Sequence, residues 1–314
     1  MIVKNIDLRD GKGKVYLIDT NALGNARAVA CYLVVDANGK VVIVDTGYAS
    51  SIDELIRSLN TLNIGIKDID YIVPTHLHLD HSGSTGHIAK GSSAEIIAHT
   101  KAIKHLIDPS KLIASVKQVF GDYADLFGYP IAVDPKNNTI TGVNTGEEHI
   151  LSMGSVELRC MTAEGHAPHQ IAVYINNGNE PILITADSVS MLYPDYPCYI
   201  PTTPPPAFDA EQAIATAERL SRLNAKMLLM PHFGISTEPD TVFKETVESI
   251  GEWVGMIRYL LDEGYAQDAI EVRMIEHVKS KSKDKGNGRE DEPIPAYVIN
   301  SIRNSVRGVI NYLH

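Results

Sequence analysis

Cysteine is scarce in this chain of 314 residues: Cys31, Cys160 and Cys198 are three, odd in number and far apart. That count excludes a disulfide framework and points to a reducing compartment. No run approaches the roughly 20 apolar residues of a membrane span, so no membrane partner is expected. The opening stretch MIVKNIDLRDGKGKVYLID has no apolar h-region. No export signal is read there, and a cytoplasmic location is the expectation. Basic blocks are missing too, against a net charge of −11. Nucleic-acid binding draws on concentrated Lys and Arg, so no nucleic-acid partner is expected. A Gly-x-Ser-x-Gly nucleophile elbow is also lacking.

What remains is an ordinary globular composition, 44% hydrophobic and 21% charged, long enough for one large domain or a domain with an appendage. β-branched runs predict strands at 15–19, 28–36 and 40–47, the last two joined by the turn signal Asp-Ala-Asn-Gly-Lys. Ile52, Leu55, Ile56, Leu59 and Leu62 recur at helical spacing, predicting a helix over about 49–63. Strands are expected again at 69–75, 94–99, 156–164, 171–177 and 181–187. Residues 111–127 read as a helical insertion, within a helical stretch of about 100–130. Phe120, Tyr123 and Phe127 space like a helix face there, for core or oligomer contact, with a lid over a pocket as the alternative. The proline-rich stretch 193–209 reads as a rigid loop, because Pro fixes φ and removes a donor. Asp209 should cap the next helix. Residues 226–234 form a buried strand ending at His232. Helices are expected at about 241–263, 267–280 and 294–313, with the mixed-charge stretch 279–292 a solvated loop. Strand hairpins mixed with strand–helix alternation imply mixed sheets covered by helices.

The chemistry concentrates in PTHLHLDHSG, residues 74–83. His76 and His78 lie two apart, on one side of an extended segment. Asp80 and His81 follow where the strand turns into a helix. Imidazole and carboxylate suit Zn or Fe, and one ion cannot easily use all four groups, whereas two adjacent ions could. Further ligands should then come from other strand ends. His166 in TAEGHAPHQ, Asp187 ending PILITAD and His232 ending MLLMPH each follow an apolar run, as does Asp45 in VIVDTG.

Taken in order, THLHLDH, GHAPH, TAD and MPHFG resemble the metallo-β-lactamase superfamily over about residues 15–235. The resemblance implies an α/β (α+β) fold, an αβ/βα sandwich of two mixed β-sheets flanked by helices. Residues 1–238 would be the catalytic domain and 239–314 a C-terminal helical extension. It implies His76, His78 and His166 as ligands of one ion and Asp80, His81 and His232 as ligands of a second. Asp187 would bridge them, and Asp45 would orient a ligand or its loop. The turn after His166 is one residue tighter than in many relatives, so His169 is read as a hydrogen-bonding residue of the turn.

The implied activity is a dinuclear metal-dependent hydrolase, in which a hydroxide shared by two divalent transition ions, Zn or else Fe or Mn, attacks a small ester, lactone or thioester. A phosphodiesterase or nuclease of the same fold, or a mononuclear iron enzyme resembling persulfide dioxygenases, is the alternative. The resemblance implies Asp80 and Asp187 as the catalytic carboxylates. Lactonase-like relatives carry a Tyr soon after the bridging Asp; the matching position is Ser190, with Tyr193 three residues on. Either Tyr193 or Ser190 supplies that hydroxyl, or Tyr193 merely packs in the proline-rich loop. The partner is a small-molecule substrate, and the apolar faces of the C-terminal helices allow a homodimer.

Overall fold

The computed structural model describes residues 1–284 and 293–314. The charged loop expected at 279–292 lies, from 285 onward, outside the described residues. The chain divides into two compact units: Met1–Thr162 with His169–Ala186, and Ala163–Pro168 with Asp187–His314.

The first unit is built on a seven-stranded sheet whose strands follow chain order: β1 (Ile2–Leu8), β2 (Gly13–Asp19), β3 (Ala30–Asp36), β4 (Val41–Val44), β5 (Tyr71–Val73), β6 (Glu95–His99) and β7 (Ile140–Val143). From β1 to β4 the pairing is antiparallel and from β4 to β7 parallel, so the sheet is mixed as expected. Every residue of β4 is buried, which explains its unbroken VVIV run in place of alternation. The edge strand β1 escapes the apolar pattern because four of its seven residues are exposed. Between strands lie α1 (Ile52–Thr61), α2 (Leu79–Ser82), α3 (Thr85–Lys90), α4 (Thr100–Ile107) and α5 (Ser110–Phe120). Leu55 and Leu59 of α1 pack with Ile43, Ile72 and Ile96 in one apolar core. After α5 the chain tightens into a 3-10 turn over Gly121–Phe127. An antiparallel ladder follows, of β8 (Glu148–Ser152), β9 (Glu157–Thr162), β10 (Ile171–Ile175) and β11 (Ile182–Ile184).

The second unit corrects the reading of the proline-rich stretch. A two-stranded hairpin, β12 (Met191–Tyr193) and β13 (Tyr196–Ile200), occupies its first half. Pro197 is tolerated because a two-stranded ribbon has only edges. Then come α6 (Ala210–Ser221), the hairpin β14 (Met227–Met230) and β15 (Gly234–Ser236), and three long helices: α7 (Pro239–Asp262), α8 (Gln267–Asp284) and α9 (Ala296–Leu313). Asp209 caps α6 by accepting the Gln212 N–H at 2.9 Å. Trp253, Ile257, Ile302, Val306 and Val309 form an apolar core with Met191 and Tyr193. Residues past β13 are clamped to α9: the Ser305 hydroxyl donates to the Pro201 carbonyl at 2.6 Å, and the Thr203 hydroxyl to the Ser305 carbonyl at 3.0 Å. Among the described residues no helix is long and apolar enough to cross a membrane.

Candidate metal centre

Parallel pairing puts the carboxyl ends of β4, β5 and β6 on one edge of the large sheet. Asp45 follows β4 directly, and Thr75 and His76 follow β5. Asp45 sits in the left-handed region at φ 61°, which Asp accepts more readily than most residues. Its carboxylate is buried and faces inward. One oxygen accepts the Thr75 N–H at 2.7 Å. The other accepts the Thr75 hydroxyl at 3.1 Å and pairs with His81 Nδ1 at 2.8 Å.

These contacts fix two tautomers. An ionised carboxylate can only accept, so His81 Nδ1 carries the proton and Nε2 keeps its lone pair. With the Thr75 hydroxyl donating its hydrogen bond to Asp45, its oxygen is left to accept from His76 Nδ1, 3.1 Å away. His76 Nε2 is then also a lone-pair donor, and it faces His78 Nδ1 at 2.9 Å. The His76 and His81 rings lie 4.1 Å apart, centroid to centroid. Asp80 brings an oxygen to 3.5 Å from His81 Nε2. His81 Nε2 beside the Asp80 carboxylate, and His76 Nε2 beside His78, are nitrogen and oxygen donors of the kind a transition ion takes, and the acceptors on Nδ1 of His81 and His76 are those such ligands require. The residues fit the metal that their pattern implies. Burial, reinforced by the Asp45 carboxylate, pushes the Cys31 thiol well above its ordinary value.

Local packing holds this half rigid. The His81 carbonyl accepts both the Thr46 N–H, at 2.7 Å, and the Thr46 hydroxyl, at 3.0 Å. At Gly83 a Cβ would stand 2.4 Å from the Leu79 carbonyl oxygen and 2.7 Å from the Ala49 nitrogen, so only glycine lets α2 approach the loop after β4. His169 accepts the Leu77 N–H through Nδ1 at 3.4 Å, reaching the ligand segment beyond its own turn.

The second unit carries the remaining three candidates. His166 Nδ1 lies 2.9 Å from the Thr202 carbonyl, which can only accept, so His166 Nε2 holds the lone pair. That Nε2 is 3.3 Å from one oxygen of Asp187, and His232 Nε2 is 3.6 Å from the other. Asp187 thus offers one oxygen to each of two imidazoles. Thr202 ties this arrangement together, since its hydroxyl donates to the Asp187 carbonyl at 2.7 Å. Gly165 has no space for a side chain: a Cβ would lie 2.3 Å from backbone atoms of Ala213. Ser190 is buried and engaged with α7, its N–H donating to Thr246 Oγ1 and its hydroxyl 2.9 Å from that of Ser249. The Tyr193 ring meets His232 edge-on at 6.3 Å, and its hydroxyl lies 3.0 Å from that of Ser301 on α9. Sequence reasoning missed Thr75 and Thr202. The first had a signal, as a hydroxyl directly before His76; the second acts through its main-chain carbonyl and had none.

A family model described as the metallo-β-lactamase superfamily matches residues 24–232. A metallo-β-lactamase fold-containing protein of Sulfurisphaera tokodaii is 26% identical over 212 residues, covering 66% of this chain and 74% of that protein. A probable metallo-hydrolase of Methanocaldococcus jannaschii is 28% identical over 158 residues, 50% of this chain and 66% of that protein. The crystal structure of a metallo-β-lactamase family protein from Thermus thermophilus superposes with a TM-score of 0.68 at 18% identity, covering 95% of this chain and 92% of that one. Its sandwich of sheets flanked by helices is the fold found here.

Proposed function

Because the chain belongs to the metallo-β-lactamase superfamily, we propose that it is a metal-dependent hydrolase acting on a small ester, lactone or thioester. In this reading His76, His78 and His166 would hold one ion, Asp80, His81 and His232 would hold a second, and Asp187 would be shared between them. Zinc is the ion assigned, with iron or manganese the outcomes that would correct it. When bound, such ions activate water at neutral pH and polarise the substrate carbonyl.

The residues around them do the positioning. Asp45 keeps His81 in one tautomer directly and His76 through the Thr75 hydroxyl. The Thr202 carbonyl does the same for His166. Asp187, with one oxygen toward each of His166 and His232, orients the attacking water. Tyr193, edge-on to His232, supplies a hydroxyl to the carbonyl or leaving oxygen after releasing the Met191 sulfur and Ser301. The observation that carries the proposal is the placement of Asp187 between two imidazoles. One carboxylate oxygen turned toward each of two imidazoles supports the reading of a carboxylate shared by two ions.

The test is Asp187→Ala, with metal content measured by elemental analysis and turnover measured on lactone, thioester, phosphodiester and lactam panels with an EDTA control. Wild type should hold two ions per chain and turn over esters, lactones or thioesters. The variant should hold at most one ion and lose about a hundred- to a thousandfold in kcat, of the order seen when an oxyanion-stabilising group is removed. Two ions and full turnover in the variant would overturn the bridging role. Preference for phosphodiesters would overturn the substrate class.

A further inference from the structure

Helix α9 meets the proline-rich stretch along one stripe of its surface. Ser301, Ser305 and Gly308 recur at four- and three-residue spacing, so they share a face. Beside them Val298, Ile302, Val306 and Val309 are buried in the apolar core. Ser305 is buried as well, where a hydroxyl costs stability unless it is bonded. Its hydroxyl donates to the Pro201 carbonyl at 2.6 Å, and its own carbonyl accepts the Thr203 hydroxyl at 3.0 Å. Gly308 lets the helix close on the same segment. A Cβ there would overlap the Thr203 carbonyl oxygen and stand 2.5 Å from the Pro204 carbonyl carbon. The obstacle is backbone, so no side-chain rotation relieves it.

The segment held in this way, Pro201-Thr202-Thr203-Pro204-Pro205-Pro206, has four prolines in six residues and so only two N–H groups of its own. It cannot pair as an ordinary strand, and its place is set by what grips its carbonyls and hydroxyls. Helix α9 grips it on both sides of Thr202. Thr202 is the residue that reaches the candidate ligands. Its carbonyl accepts from His166 Nδ1 at 2.9 Å, and its hydroxyl donates to the Asp187 carbonyl at 2.7 Å. The hairpin before it extends these contacts. The Tyr193 hydroxyl lies 3.0 Å from that of Ser301, and the Leu192 N–H donates to the His232 carbonyl at 2.7 Å. No side-chain change at Thr202 removes its carbonyl, but a change on α9 can move it.

Resting on the reading of His166 as a metal ligand, we propose that α9 positions the metal centre: Ser305 and Gly308 hold Thr202 where its carbonyl keeps His166 in the tautomer that offers Nε2. Both are positioning residues, acting at one remove from the ligand.

The test reads the imidazole and the metal separately. In the metal-free full chain with isotope-labelled histidine, at about pH 8, where imidazole is neutral, ring-nitrogen NMR reports the tautomer of His166. Its signals are identified by their loss in His166→Gln. Wild type should show Nδ1–H alone. Gly308→Ala should show a mixture of tautomers and bind zinc about a hundredfold more weakly. Ser305→Ala, the gentler change and the deciding one if Gly308→Ala does not fold, should show a smaller admixture and bind zinc about tenfold more weakly. Val306→Ala, which thins the apolar face of α9, should lower the urea midpoint and leave tautomer and zinc affinity at wild type. A wild-type tautomer in the folded α9 variants overturns the proposal, whatever the zinc affinity does. So does the same mixture in Val306→Ala, since general loosening of the helix would then account for it. Mixed tautomers in Ser305→Ala or Gly308→Ala with unchanged zinc affinity leave the role of α9 standing and overturn the reading of His166 as a ligand.

Discussion

In the first unit a buried carboxylate, that of Asp45, fixes the imidazoles; in the second a main-chain carbonyl, that of Thr202, does the same for His166. Both acceptors leave Nε2 with its lone pair, so the chemical result is the same. They differ in strength and in vulnerability. A charge-assisted hydrogen bond is roughly twice as strong as a neutral one, and Asp45 serves His81 directly and His76 through Thr75. One side chain therefore governs two ligands, and a single substitution can release both. The Thr202 carbonyl survives any substitution that preserves the backbone, so His166 is protected against point mutation at its anchor.

That asymmetry is broken most severely by Asp45→Asn. Asparagine keeps the size and tolerates φ 61°, so the change isolates charge and hydrogen-bond polarity. Its NH2 group opposite His81 or Thr75 would force a donor against a donor, moving the His81 proton to Nε2 and removing that donor atom. Metal affinity should fall at least 10–100-fold, the usual loss when a ligand's supporting partner is changed, while far-UV circular dichroism stays that of the folded chain. Metal titration of the folded variant with wild-type affinity would refute the anchor role. A smaller effect is expected from Thr75→Val, which deletes only the hydroxyl between Asp45 and His76. Affinity should drop about tenfold, and Thr75→Ser should restore it. Wild-type affinity in Thr75→Val would show that the hydroxyl does not set the His76 tautomer.

The same asymmetry decides what was legible in the sequence. His76, His78, Asp80 and His81 crowd into six positions, and Asp45 closes an apolar strand run, so side-chain chemistry announced the first half. His166, Asp187 and His232 are separated by long stretches and became readable only through their order. Thr202 acts by a carbonyl that every residue possesses, and no pattern can flag it. In the fold, buried strands such as β4 were plain from their apolar runs. The edge strand β1 was not, because its mostly exposed residues carry no alternation. The hairpin β12–β13 was hidden by its prolines, which argue against strand pairing everywhere except at an edge. Phe120, Tyr123 and Phe127 share a helical spacing yet differ in burial, since the chain leaves α5 for a tighter turn at Gly121.

Asp36 gives the mildest test and serves as the control for Asp45. It too is a buried carboxylate that organises a turn, but it ends β3 and so stands at the edge opposite the ligands. Its oxygens accept the N–H groups of Asn38 and Lys40, each at 2.8 Å, and the Ser155 hydroxyl at 3.0 Å. Burial works to raise its pKa, but the hydrogen bonds from Lys40 and Ser155 outweigh it and hold the carboxyl below its usual 3.8. A depressed folded pKa adds stability in full above the unfolded value, and that stability is lost as pH falls through the folded one. Asp36→Ala should therefore cost about 1–3 kcal/mol at pH 7, measured by urea melts. The gap from wild type should narrow once the pH drops below about 4. Metal affinity should not change. If Asp36→Ala weakened metal binding as Asp45→Asn does, the loss at Asp45 would reflect general loosening of the sheet, and the assignment of tautomer control to one carboxylate would fail.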